Sequence, residues 1–243
     1  GVIDVAVHSL KDLPAEQPAG LELAAFPPRE DPRDVLLTRA GGGFDTLPVG
    51  AVLGTSSLRR RALALALRPD LSVEPIRGNV DTRLRKLAEG ACDALLVAAA
   101  GLARLGVRPP HAQALAPEVF VPAAGQGILG VEVRREDREI RGLVQALDDA
   151  PTRACAIAER AYLRRLGASC TTPVAGYAVL EPGPAGRLQM IAVVASEDGR
   201  RVLRAEATGP AHDPEGVGQG LADDLLGRGA ASIVTLDPRR WAS

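Results

Sequence analysis

Ala51-Val52-Leu53-Gly54-Thr55-Ser56-Ser57-Leu58-Arg59-Arg60 is an apolar run that breaks at a glycine, crosses hydroxyl side chains and continues into arginines. It predicts a strand at 51–53 and a helix over 57–67. The glycine lets backbone approach a ligand. The hydroxyls can cap the helix or donate to an anion, and the free N–H groups at the helix start favour negative charge. The same grammar repeats downstream. A strand at 72–76 runs into Arg77-Gly78-Asn79 and a helix at 80–89, and a strand at 94–98 runs into a helix at 99–105. Three strand–helix units in a row predict an α/β, mostly parallel, doubly wound sheet.

Outward from this middle region the chain changes style twice. A strand at 2–7 precedes His8-Ser9-Leu10-Lys11-Asp12-Leu13-Pro14, and Phe26 to Asp34 is a proline-rich charged connector that reads as a hinge. Pro122-Ala123-Ala124-Gly125-Gln126-Gly127 is a second connector, followed by a strand at 129–133 and a helix near 137–148. A long helix from 152 to 166 comes next. Strands near 174–180, 187–195 and 201–208, a helix at 214–227 and a strand at 231–236 then predict a separate α+β domain with an antiparallel sheet.

Composition narrows the function. The chain has 243 residues, 46% of them hydrophobic, with 29 basic against 30 acidic side chains and a net charge of −1. No apolar run approaches the ~18 residues of a membrane span. Aromatics are 2%, and there is no basic excess, so a nucleic-acid binder is disfavoured. Only Lys11 and Lys86 are lysines, which fits a high-GC codon bias. Cys92, Cys155 and Cys170 show neither metal-ligand nor disulfide spacing, so no metal is expected and a cytoplasmic setting fits. The chain opens at Gly1-Val2-Ile3, inside what reads as a strand, with no initiator Met. A preceding N-terminal piece is therefore expected.

The chemistry concentrates at strand ends. Ligands of open parallel sheets bind outside the carboxyl ends of the strands, and Arg59, Arg60, Arg77, Arg83 and Arg104 all follow such ends. Guanidinium groups match carboxylates and stay charged, so the edge predicts a polyanion site, phosphate or carboxylate. Asp12 follows the first strand, where a carboxylate could stabilise a cation or move a proton; by itself it also reads as a turn residue before Pro14. A histidine in such a segment is more often a satisfied buried residue than a catalytic one, and His8 is left unassigned. Cys170 sits in a flexible loop where neighbouring arginines could favour a thiolate, whereas Cys92 and Cys155 read as core.

The ordered set of motifs resembles hydroxymethylbilane synthase, also called porphobilinogen deaminase. The resemblance runs from His8–Pro14 through Arg29-Glu30-Asp31-Pro32-Arg33-Asp34, Gly54–Arg60, Arg77-Gly78-Asn79-Val80, Thr82-Arg83-Leu84, Ala100–Gly106 and Pro122–Gly127 to the Cys170 loop. It implies three domains: two lobes like type II periplasmic binding proteins (1–28 with 125–148, and 33–121) and a third domain at 150–243. It implies a transferase that condenses four porphobilinogens head to tail with loss of ammonia. The growing chain is primed by a dipyrromethane cofactor in thioether linkage to the cysteine matching Cys170. By position Asp12 matches the catalytic aspartate. Lys11, Ser9, Thr55, Ser57, Arg59, Arg60, Arg83 and Gln126 match cofactor contacts, and Arg59, Arg77, Arg83 and Arg104 match substrate contacts. Each pyrrole carries an acetate and a propionate, and loss of ammonia leaves an azafulvenium-like cation that Asp12 would stabilise. A monomeric cytoplasmic protein without nucleic-acid or membrane partners is implied. Ala168-Ser169 stands where the family has Gly-Gly. The rival reading is a non-enzymatic two-lobe binding protein, which needs neither Cys170 nor a third domain. A phosphate enzyme is weaker, since no P-loop or dinucleotide glycine fingerprint is present.

Overall fold

The computed structural model describes residues 2–169, 171–181 and 186–236. Its strands are β1 (Val5–Ser9), β2 (Leu21–Ala25), β3 (Asp34–Thr38), β4 (Val52–Gly54), β5 (Ser72–Glu74), β6 (Ala94–Ala98), β7 (Ala112–Ala114), β8 (Leu129–Arg134), β9 (Val174–Leu180), β10 (Arg187–Ala195) and β11 (Val202–Pro210). Its α-helices are α1 (Leu58–Leu67), α2 (Val80–Ala88), α3 (Ala99–Arg104), α4 (Arg138–Val144), α5 (Ala150–Leu166) and α6 (Pro214–Gly227).

The strands form three sheets, one per domain. The middle sheet has the order β5-β4-β6-β3-β7. β4 is parallel to β5 and β6, while β3 is antiparallel to β6 and β7. β3 is thus the one reversed strand, because it enters from the connector and not from a helical crossover. β3 is buried throughout, and its alternation serves both faces. Leu36 joins Leu53, Ala62 and Leu63 on the α1 side, and Val35 and Leu37 join Leu87, Leu95 and Leu102 on the α2/α3 side. The sheet is doubly wound, as expected. The reversal has a chemical consequence: Asp34, the first residue of β3, lies opposite Ala98, the last of β6. An acid therefore sits at the edge where the parallel strands deliver arginines.

The first domain's sheet, β1-β8-β2, is antiparallel. The strand expected at 2–7 lies at Val5–Ser9, and β2 and β7 were not foreseen. Val5 and Val7 pair with Val133 and Val131; the latter two are buried beside Val144 of α4, whereas Val5 and Val7 stay exposed. The third sheet, β9-β10-β11, is antiparallel, and both of its faces are covered. Leu188, Met190, Ala192 and Val194 of β10 pack on α5 and α6, while Ile191, Val193 and Ala195 join the core around Phe120 and Leu63. The strand expected at 231–236 is instead a 3-10 turn at Ala230–Ser232. Its apolar residues Val234 and Leu236 fill the α5/α6 core in place of pairing with a sheet edge.

One buried carboxylate ties these domains together. Glu159, on α5, is fully buried. Its oxygens accept from Arg29 Nη1 (2.6 Å), the amide of Gly125 (2.5 Å) and the amide of Ala178 in β9 (2.8 Å). Arg29 belongs to the first connector and Gly125 to the second, so both crossings between the first and middle domains are anchored on a helix of the third. Gly125 (φ +76°) and Gly127 (φ +85°) let the second connector pass close by. A Cβ at Gly125 would lie 2.9 Å from the Lys11 amide, and one at Gly127 would lie 2.3 Å from the Glu30 carbonyl, approaches that only glycine permits. Removing one partner of a buried ion pair typically costs about 3–5 kcal/mol. Glu159→Ala is therefore expected to lower unfolding stability by that order in urea titration, with Glu159→Gln losing less because its one carbonyl oxygen still accepts from one of the two amides, which bond to different oxygens of Glu159. An unchanged midpoint for Glu159→Ala would contradict the clamp.

Candidate active site

A cleft of about 790 Å³ opens where the three domains meet, within the ~300–1,000 Å³ of small-molecule sites. The first domain contributes Lys11 and Asp12, and the middle domain Ser57, Arg59, Arg60 and Arg83. Gln126 comes from the second connector, and Gly167 to Ser169 from the loop after α5. Asp12 ends a 3-10 turn, Leu10–Asp12, that directly follows β1. The turn is fixed because Leu10 is buried and its amide donates to the Ile128 carbonyl at 3.0 Å. Ser57 caps α1, its hydroxyl accepting from the Arg60 amide, so the positive end of that helix faces the cleft.

Asp34 organises the cationic wall. Its carboxylate is fully buried. It accepts from Arg59 Nη1 and Nη2 (2.7 and 3.1 Å), from Arg60 Nε (2.8 Å) and from Gln126 Nε2 (3.3 Å). Burial pushes its pKa up, but the two guanidinium groups outweigh burial and hold it at about 2. Arg59 Nη1 also donates to the Val121 carbonyl and Arg60 Nη1 to that of Leu96. Two cations against one anion leave a net positive charge beneath the cleft. Lys11 adds to it. Burial, then repulsion from Arg60, lowers its pKa to about 8 although Asp12 and Asp34 act the other way. Among the described residues no hydrogen-bond acceptor or counter-ion meets its ammonium group.

The structure gathers some of the expected site residues and not others. Lys11, Asp12, Ser57, Arg59, Arg60, Arg83 and Gln126 line one cleft. Thr55 lies behind it, buried, its hydroxyl accepting from the Ser57 amide at 3.2 Å. Ser9 lies at the end of β1, outside the lining. Arg77 is exposed, and Arg104 is turned to the Gly127 carbonyl at 2.8 Å; neither lines the cleft. His8, which the sequence leaves unassigned, is half-buried and meets Glu132 at 3.2 Å. Cys92 and Cys155 are buried, and burial pushes both thiols up, Cys155 to about 12. Cys170 lies outside the described residues. Beside it, Ser169 bonds to the Thr171 hydroxyl at 2.8 Å, so the serine replacing a family glycine has a local partner.

Comparison with known proteins decides the family. Residues 1–142 match the family model described as porphobilinogen deaminase, dipyromethane cofactor binding domain, and residues 153–227 match porphobilinogen deaminase, C-terminal domain. The chain belongs to the porphobilinogen deaminase family. It is 51% identical to the porphobilinogen deaminase of Desulforudis audaxviator (strain MP104C) over 232 residues, 96% of this chain and 74% of that protein. It is 47% identical to that of Brevibacillus brevis over 95% of this chain and 74% of that protein. Among solved structures, the substrate binding protein of an amino acid ABC transporter matches with a TM-score of 0.32 and 16% identity, over 52% of this chain and 54% of that one. That likeness is too slight to bear on the fold.

The cleft fits the family's dipyrromethane, a group carrying several carboxylates: among the described residues Lys11 has no ion-pair partner, and the Asp34 cluster keeps a net positive charge. Asp34 and Glu159 were not foreseen from the sequence as site-building residues. Their signal was an acid bordering a fully apolar run, Asp34 before Val35-Leu36-Leu37 and Glu159 after Ala156-Ile157-Ala158, since buried acids need cations or amides. The depressed pKa of Asp34 makes its contribution fully present above its ordinary pKa of 3.8 and lost as pH falls through about 2. We predict that wild type exceeds Asp34→Asn in stability by about 2 kcal/mol above pH 4. The gap should shrink towards zero by pH 2 in acid-unfolding curves; a gap independent of pH would contradict the assignment.

Proposed function

We propose that the cleft performs the family's reaction, hydroxymethylbilane synthesis, with Asp12 as the catalytic carboxylate. Four porphobilinogens are joined head to tail, each with loss of ammonia, and water releases the linear tetrapyrrole. The observation that carries the residue assignment is the meeting of Asp12 with Lys11, Arg59, Arg60 and Arg83 across the gap between the first and middle domains. When bound, the dipyrromethane supplies the primer on which the chain grows, held through Cys170. Lys11, Ser57, Arg59, Arg60, Arg83 and Gln126 would hold its carboxylates and ring N–H groups, with Ser9 and Thr55 shaping the turns behind them. Arg77, after β5, and Arg104, at the end of α3, both outside the cleft lining, would meet carboxylates of incoming substrate, along with Arg59 and Arg83.

The working parts divide by charge. Arginines stay cationic at any working pH and orient substrate through its acetate and propionate. Loss of ammonia leaves positive charge on the methylene carbon and pyrrole nitrogen, and a carboxylate fixed beside that charge lowers the barrier electrostatically. The same carboxylate can take the proton lost as each new carbon–carbon bond is completed. We assign residues 1–28 and 125–148 to the first domain, 33–121 to the middle one and 150–243 to the third. We further take the working unit to be a cytoplasmic monomer acting on porphobilinogen without nucleic acid or membrane; the −1 net charge and scarce aromatics speak against nucleic acid.

Asp12→Asn keeps the size of the side chain and removes the charge. It is expected to fold as wild type by circular dichroism while porphobilinogen consumption falls at least about 100-fold, the scale of losing one transition-state electrostatic contact. Turnover close to wild type would remove Asp12 from the reaction.

A further inference from the structure

Asp12 stands on a short turn, and the segment after it, residues 13 to 17, forms no helix or strand. What holds that segment comes from another domain. Arg160, on α5, is buried. Its Nη2 donates to the Ala15 carbonyl at 2.9 Å and to Gln17 Oε1 at 3.1 Å. The Gln17 amide then donates to Glu132 Oε1 at 2.7 Å, and the other oxygen of Glu132 meets His8 Nε2 at 3.2 Å. The contacts form a circuit that leaves α5, grips the chain three and five residues after Asp12, crosses to β8 and returns to β1 four residues before it.

The chemistry of Arg160 is unusual for a stabilising residue. Among the described residues no carboxylate lies within ion-pair distance of it, and its acceptors are neutral oxygens. A guanidinium buried without a direct ion pair is costly to the fold, and its pKa is lowered to about 10, by burial first and then by Arg164, with Glu132, beyond ion-pair distance, acting the other way. What it gains is directional: two hydrogen bonds from one nitrogen onto an otherwise irregular segment, cast from a 17-residue helix. Rigid elements hold reacting groups more accurately than loops do. Glu159, its neighbour on α5, anchors both connectors, and the helix leads through Gly167 towards Cys170.

We propose that Arg160 is a positioning residue for Asp12, acting through the Ala15 carbonyl and the Gln17 side chain. It sets where the carboxylate stands relative to the loop after α5. The proposal rests on the role given above to Asp12, and its test separates the two. Arg160→Met retains the bulk of the side chain and removes both donors. Hydrogen exchange followed by mass spectrometry is expected to show the amides of residues 13 and 15–17 exchanging about tenfold faster (Pro14 has none), with α5 and β8 unchanged. In the same protein, kcat for porphobilinogen should fall about tenfold with KM nearly constant, since the carboxylate-binding arginines are untouched. Arg160→Lys, which can still donate to Ala15, should recover part of both. Should Arg160→Met fail to fold, Gln17→Leu leaves the Ala15 arm in place while removing the second arm together with the bond to Glu132, and should shift exchange and kcat in the same direction by about threefold. Unchanged exchange at 13–17 in whichever variant folds overturns the positioning role. So does acceleration spread evenly over α5 and β8, the mark of general loosening. Faster exchange confined to 13–17 with kcat intact would uphold the positioning and overturn the role of Asp12.

Discussion

The structure depends on a helix that carries two buried charges side by side. Glu159 gathers Arg29, the Gly125 amide and the Ala178 amide, and Arg160 reaches the opposite way to Ala15 and Gln17. A carboxylate with three donors from three parts of the chain cannot be satisfied unless those parts are in register, because each group left unpaired in the interior carries a desolvation cost. Satisfying Glu159 therefore fixes where the two connectors run, and the connectors fix where the first domain faces the middle one. The cleft is a consequence of that geometry.

Charge balance then gives the cleft its selectivity. One reversed strand brings Asp34 to the same sheet edge as Arg59 and Arg60. Without it, two adjacent arginines would be buried against each other; with it, they are oriented and still leave a positive excess. The Lys11 ammonium, mostly desolvated and without a counter-ion among the described residues, adds to this excess. A ligand with several carboxylates is what such a wall accommodates, and Asp12, in the turn after β1, is the one acid among the described residues that line the cleft.

Much of this was legible in the sequence. The strand–helix repeats from Ala51 to Arg104 gave the middle domain, because glycine and arginine punctuation at strand ends is a local signal. The antiparallel third sheet was legible for the same reason. β2 and β7 were missed: Leu21–Ala25 lies between proline-rich stretches, and Ala112–Ala114 is a three-residue strand with no apolar alternation. Val234 and Leu236 read as a strand because β-branched and apolar residues cluster there, yet tertiary packing drew them into the helical core. At the site, Lys11, Asp12, Arg59, Arg60 and Arg83 follow strand ends and could be found. Asp34, Glu159 and Arg160 could not be placed, since their meaning lies in partners 19 or more positions away. Arg77 and Arg104 follow strand ends too, but sequence position alone does not say that they stand outside the cleft lining.

The proposed tether at Cys170 of a carboxylate-rich pyrrole chain in the cleft is open to intact-mass analysis with peptide mapping after exposure to porphobilinogen. The expected result is a covalent adduct of two pyrrole units confined to the peptide carrying Cys170, with Cys92 and Cys155, both buried, unmodified. An unmodified Cys170, or an adduct on either buried cysteine, would contradict it.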